Sequence, residues 1–117
     1  MVCAALGEHG RADILVNCAG VLRKTRIDEI TTAEWELVLD VNLKGTFLCS
    51  QAILPAMKER EYGRIVNISS IAGRRGSANT AAYNAANFAI HGFTQAFAHE
   101  MAPYKVTVNA VCPGPVD

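Results

Sequence analysis

Three short apolar runs, "DILVN" (13–17), "RIVNISS" (64–70) and "KVTVNAV" (105–111), are separated by long segments of helical periodicity. This alternation restricts the fold more than any other feature of the chain. Each run is rich in β-branched residues and bounded by turn formers, which favours a buried strand over a helix. Residues 1–9 read as a helix closed by Gly10. Thr31 or Thr32 precedes Glu34, Trp35 and Glu36, acidic residues in a first turn that mark a helix start, with Trp35 packing there. The helix continues to about residue 60. Its apolar stripe is expected at Leu39, Leu43, Phe47, Ser50, Leu54 and Met57, with a kink at Pro55 and an end at Gly63. A third helix is expected over 80–102, with Ile90, Phe93, Phe97 and Met101 as its stripe and Pro103 closing it.

Strands alternating with helices imply β-α-β units, a parallel sheet and right-handed crossovers. The strands show little polar alternation, so helices are expected on both faces of the sheet. Open sheets of this kind bind ligands at the carboxyl ends of their strands. That rule selects "NCAG", "SSIAG" and "CPGPV".

Half the residues are hydrophobic and 19% are charged, a balance that supports a packed core rather than disorder. Its 117 residues suit one domain. The 11 basic and 11 acidic residues cancel, and no basic patch stands out, so neither nucleic acid nor an anionic membrane is an expected partner. No apolar stretch is expected to approach the roughly 20 residues of a membrane span. The start lacks the basic and apolar regions of a signal peptide, so a cytoplasmic protein is expected. Cys3, Cys18, Cys49 and Cys112 form no C-x-x-C pair and no zinc spacing with His9, His91 or His99. They are expected to be reduced and mostly buried, with no metal site. His91 and His99 read as partly exposed surface residues.

Five segments in order, "DILVNCAG", "VNLKGTF", "GRIVNISSIAG", "AYNAAN" and "VNAVCPGPV", resemble the short-chain dehydrogenase/reductase family of nicotinamide-dependent oxidoreductases. Within it the chain looks most like 3-oxoacyl-carrier-protein reductases and sugar-alcohol dehydrogenases. The resemblance implies an α/β fold, part of a doubly wound Rossmann-like parallel sheet, and a partial NAD(P)-binding domain over 1–117. It implies hydride transfer between NAD or NADP and a secondary alcohol or ketone. Asn17, Ala19 and Gly20 match the family's N-x-A-G turn beside the cofactor's adenosine half, with Asn17 steadying the sheet. Asn42 matches the asparagine that helps hold a relay water, Ser70 the serine that bonds the substrate oxygen, and Tyr83 the acid/base. Ser69 reads as structural. Pro113, Gly114 and Val116 match the segment that packs on nicotinamide. The helices over about 33–60 and 80–102 match the family's dimer interface, which implies a homodimer or homotetramer.

The chemistry needs these residue types. A carbonyl that receives hydride develops negative charge on oxygen, and it requires a proton donor and a hydrogen-bond donor aimed there. A free phenol has a pKa of about 10 and is a poor base near neutrality. In the family a lysine four residues after the tyrosine, on the same helical face, supplies the missing cation. Here that position is Asn87, which carries no charge. Lys105 and Lys44 are expected to face elsewhere, which leaves Arg74 and Arg75 as the rescuing candidates. The family's glycine-rich phosphate loop also has no counterpart in these 117 residues. By the resemblance the chain corresponds to the fourth, fifth and sixth family strands. It is expected to be a truncated, catalytically impaired sequence without the N-terminal glycine-rich β-α-β unit and the C-terminal strand. The alternative is a non-catalytic protein of the same fold that binds partners or forms oligomers.

Overall fold

The computed structural model describes residues 1–115; Val116, matched above to the nicotinamide segment, lies outside the described residues. Strands β1 (Ile14–Asn17), β2 (Gly63–Ile68) and β3 (Val106–Val111) form one sheet in the order β1-β2-β3. Both pairings are parallel, with Asn17 opposite Asn67 and Ile65 opposite Val108. The three predicted runs are therefore the three strands, each within two residues of its expected bounds at either end.

Helix α1 (Val2–His9) ends at Gly10, whose φ of 70° is left-handed and suits glycine as a C-cap. Helix α2 (Thr32–Leu39) starts at Thr31, whose Oγ1 accepts the Glu34 amide at 3.1 Å. The chain then widens into a π-turn over Asp40–Lys44 and continues as α3 (Gly45–Glu59). Helix α4 (Ala81–Met101) precedes a short 3-10 turn, Ala102–Tyr104, and β3. The break in the long helix thus falls at the π-turn, and α3 runs on through Pro55.

The long helical run turns a different face inward than its periodicity predicts. Its buried positions are Val38, Asn42, Thr46, Ser50, Ile53 and Met57, not the predicted stripe, of which only Ser50 and Met57 are fully buried. Asn42 and Thr46 point inward because their polar groups are matched there, Thr46 Oγ1 donating to the Asn42 carbonyl at 3.0 Å. Leu39, Leu43 and Leu54 are left half-buried, and Phe47 and Leu48 stay exposed. On α4 the predicted Ile90, Phe97 and Met101 are buried and Phe93 is partly so.

The main core joins Ile53 and Met57 of α3, Phe97 and Met101 of α4, and Ile65, Val106 and Val108 of the sheet. Helices α3 and α4 therefore cover the same face. The expectation of helices on both faces does not hold among the described residues: Ile14 and Val16 of β1 are 63% and 54% exposed and Val111 of β3 is 46% exposed. Apolar strands carry the same pattern whether or not their second face is covered. A smaller cluster, Val38 with Ala82 and Ala86, fastens α2 to the start of α4, and Tyr83 packs against it.

The joined helical run Thr32–Glu59 is long and apolar enough to pass for a membrane span by length and composition. This corrects the expectation of no such stretch. Its buried face packs on the sheet and α4.

Candidate active site

The parallel register brings Asn17 and Asn67 side by side at the carboxyl end of the sheet. Asn17 Nδ2 donates to Asn67 Oδ1 at 2.9 Å and to Ser50 Oγ at 3.1 Å. Asn67, fully buried, donates through Nδ2 to Thr94 Oγ1 at 2.9 Å. A polar ladder thus runs from α3 through two strands to α4, and it holds the strand ends in register.

Past Asn17 the chain turns through Ala19 and Gly20. A Cβ on Gly20 would sit 2.8 Å from Asn42 Oδ1, so glycine permits the loop to lie against that side chain. Asn42 Oδ1 accepts the Val21 amide at 2.7 Å and its Nδ2 donates to the Val21 carbonyl at 2.8 Å. Asn42 therefore clamps the loop from a buried position inside the π-turn. π-turns recur at functional sites because they displace one residue from the helical ladder.

At the end of β2, Ser69 is buried and Ser70 half-buried. Ser70 Oγ accepts the Ala72 amide at 3.1 Å and caps the 3-10 turn Ile71–Gly73, which leaves its hydroxyl proton free to donate elsewhere. The Ser69 and Ile71 amides donate to the Val111 and Pro113 carbonyls at 2.8 and 2.9 Å, which ties the exit of β3 to the exit of β2.

The loop from Arg74 to Asn79 is fastened by Asn84. Its Nδ2 donates to the Ala72 and Arg75 carbonyls at 2.7 and 2.9 Å, and its Oδ1 takes the Thr80 hydroxyl at 2.6 Å. The sequence reading missed this residue. The available signal was an asparagine inside a helix, where it forms helix poorly, beside a loop with many carbonyls to satisfy.

A cleft of about 260 Å³ opens at these strand ends, and Ala19, Gly20, Asn42, Ser69, Tyr83 and Asn87 are among its lining. Of the predicted residues the structure gathers Ala19, Gly20, Asn42, Tyr83 and Asn87. Asn17 lies beneath, Ser70 stands beside the cleft rather than in its wall, and Pro113 and Gly114 are exposed on the β3 exit. Asn87 is 3% exposed. Its Nδ2 donates to the Tyr83 carbonyl at 2.9 Å, and Ser69 Oγ donates to its Oδ1 at 3.1 Å.

No cation lines the cleft among the described residues. Lys44 pairs with Asp40 at 3.3 Å on the surface. Lys105 precedes β3, at the opposite end of the sheet, and pairs with Glu61 at 2.6 Å, a contact that holds the Glu61 carboxyl below its usual range through a charge-assisted hydrogen bond. Arg74 and Arg75 are exposed.

Two surface expectations change. His91 is not a bystander: its Nε2 lies 3.1 Å from Ser69 Oγ and 3.3 Å from Cys112 Sγ, whereas His99 is exposed. The cysteines are unpaired, but none is fully buried: Cys3 and Cys18 are exposed and Cys49 and Cys112 half-buried. No group of three metal-ligating side chains occurs among the described residues.

Gly73 backs this cluster. An added Cβ would lie 2.7 Å from His91 Nε2 and 2.8 Å from both the Asn87 carbonyl and Ser69 Oγ. Gly73→Ala is expected to destabilise the fold by about 1–3 kcal/mol, the usual cost of overpacking, read as a lowered urea midpoint. An unchanged midpoint would show that the cluster yields freely.

Comparison with known proteins identifies the family of the fold. A family model described as short chain dehydrogenase matches residues 1–117. A short-chain reductase protein NovJ of Streptomyces niveus is 48% identical over 97% of the chain and 43% of its own length. An acetoacetyl-CoA reductase of Allochromatium vinosum is 46% identical over all of the chain and 48% of its own length. The crystal structure of a short-chain dehydrogenase from Streptomyces avermitilis superposes with a TM-score of 0.94 at 34% identity, covering 99% of this chain and 43% of that one. The chain spans less than half the length of these relatives. With one family model matching from end to end and a solved relative that superposes over 99% of the chain, the chain belongs to the short-chain dehydrogenase family.

Proposed function

We propose that this chain supplies the acid/base side of an oxidoreductase that moves hydride between a nicotinamide cofactor and a secondary alcohol or ketone. The observation that carries the reading is Tyr83 in the wall of a cleft at the carboxyl ends of a parallel sheet, beside Asn42 and the Ala19–Gly20 turn. Relatives named as reductases support the same chemistry.

The cleft fits one end of such a cofactor. About 260 Å³ falls just below the roughly 300–1,000 Å³ of sites for drug-sized ligands, enough for a ring and a carbonyl group but not a dinucleotide. The Ala19–Gly20 turn would lie beside the adenosine half and the exposed Pro113–Gly114 segment on the nicotinamide, and no glycine-rich phosphate loop occurs in the sequence. The group, when bound, gives or takes the hydride. The chain's own part is proton handling. The Tyr83 phenol donates a proton to the oxygen that becomes an alcohol, and Ser70, whose hydroxyl proton is free, donates a hydrogen bond to the same oxygen. The Asn42 side chain is occupied by Val21, so a relay water would meet its main-chain carbonyl. NAD or NADP both suit this reading, as does a cytoplasmic setting for four unpaired cysteines.

A homodimer or homotetramer through α3 and α4 belongs to the same proposal. Phe47 and Leu48 are 42% and 49% exposed, and an apolar groove lined by Phe47, Leu54 and Phe93 lies between these helices. The same surface, with an uncharged Asn87, favours the second reading of a non-catalytic assembly partner.

Two measurements test these readings. Residues 1–117 grafted in place of the matching segment of the Allochromatium vinosum acetoacetyl-CoA reductase should give a chimera that reduces acetoacetyl-CoA with consumption of a nicotinamide cofactor. A folded chimera with no turnover would favour the assembly partner. The chain alone, without a phosphate loop, should show no saturable NADH or NADPH binding by calorimetry, and micromolar binding would refute the half-site argument.

A further inference from the structure

Ser69 and Asn87 in the cleft wall meet His91 of α4 and Cys112 of the β3 exit. Ser69 Oγ lies 3.1 Å from Asn87 Oδ1, 3.3 Å from the Asn87 carbonyl oxygen and 3.1 Å from His91 Nε2. The amide orientation of Asn87 follows from Tyr83. Nδ2 faces the Tyr83 carbonyl at 2.9 Å, and a flipped amide would set two oxygens against each other there. Oδ1 is therefore the atom that faces Ser69.

A serine hydroxyl has one proton. Both Asn87 oxygens are acceptors and neither can return one. If His91 Nε2 were bare, three acceptors would surround that single proton. With the proton turned to Asn87, a bare nitrogen would face an oxygen at 3.1 Å with no hydrogen between them. Ser69 and Asn87 are 7% and 3% exposed and His91 is half-buried, so the contact between Ser69 and the ring is best satisfied from within the cluster. A proton on Nε2 gives each contact a donor: Nε2–H to Ser69 Oγ, the Ser69 hydroxyl to Asn87 Oδ1, and Asn87 Nδ2–H to the Tyr83 carbonyl. Cys112 Sγ, 3.3 Å from Nε2, then receives part of the same proton.

We propose that Asn87, acting through Ser69, fixes His91 in its Nε2–H tautomer, and that His91 is in turn a positioning residue for the Asn87 amide and the Tyr83 turn. Asn87 thereby faces inward as the acceptor of a directed hydrogen-bond chain, rather than outward as a short stand-in for lysine. The bearing of this chain on catalysis rests on the hydride-transfer reading above. The position of the ring proton does not, so the two can fail separately.

The test is nitrogen-15 NMR of the histidine-labelled chain at about pH 8, above the ordinary imidazole range. His91 should show an Nε2–H proton resolved and protected from exchange, unlike exposed His9 and His99. Ser69→Ala should lose that protected signal. Asn87→Ala, which frees the serine proton for the ring, should admit the Nδ1–H form. Cys112→Ala should leave the tautomer unchanged. An Nδ1–H ring in the unaltered chain overturns the proposal, as does a protected Nε2–H signal that survives both Ser69→Ala and Asn87→Ala. For the positioning role, His91→Gln keeps a donor near the Nε2 position and should retain slow exchange of the Asn87 side-chain amide. His91→Leu should lose it, and equal protection in the two variants overturns that role.

Discussion

Tyr83→Phe in the chimera with the Allochromatium vinosum reductase is expected to lower kcat/KM for acetoacetyl-CoA reduction by about 10²- to 10⁴-fold, the range for loss of a positioned general acid. The fold gives this test a clean background. The Tyr83 ring packs against Val38, Ala82 and Ala86, and phenylalanine keeps that packing. Asn87 bonds the Tyr83 main-chain carbonyl, not the phenol, so the turn is held equally well in the variant. The urea midpoint should therefore stay close to that of the parent chimera while activity falls. A loss below about tenfold would place the proton donor elsewhere, because a general acid of ordinary efficiency contributes at least 10². Loss of midpoint and activity together would point to packing instead.

How far this site is legible without coordinates depends on which residues are local to one another. Tyr83 and Asn87 share a helical face, and the strand ends are marked by their turns, so five cleft residues are readable from motif order. The phase of the long helix is not. Periodicity counts Leu39, Leu43 and Phe47 as the inner stripe, but Val38, Asn42 and Thr46, before, within and after the π-turn over Asp40–Lys44, face inward instead. Nothing in a 3.6-residue count announces a five-residue turn. The Ser69–Asn87–His91–Cys112 cluster is equally silent. Its members are brought together by the β2–β3 pairing and the lie of α4, and His91 eight residues before His99 looks like a surface repeat. Asn84 illustrates the reverse: its role in holding the loop from Arg74 to Asn79 needed only the question of which side chain satisfies that loop's carbonyls.

Asn87→Lys is the substitution for which two physical effects oppose each other, and their sizes decide the outcome. On the cost side, lysine forfeits the hydrogen bonds to the Tyr83 carbonyl and from Ser69, each with a net contribution of about 1 kcal/mol. It also places a long stem where a side chain 3% exposed now sits. That stem can run up the cleft wall with its ammonium in the opening, as long basic side chains do. The expected stability loss is therefore modest, about 1–3 kcal/mol in the urea midpoint. On the gain side, a cation within several Å of a phenol lowers its pKa by about 1–3, which raises the phenolate population roughly 10- to 1,000-fold near neutrality. No other cation lines the cleft among the described residues, so nothing already supplies that charge. The gain acts on every turnover, whereas the cost matters only if the chimera is close to unfolding. Turnover near pH 7 is expected to rise at least tenfold, and alcohol oxidation, which needs the phenolate, should become active at lower pH than with asparagine. An unchanged rate and pH profile would mean that the charge reaches Tyr83 from the grafted partner's own residues, and that Asn87 is no impairment.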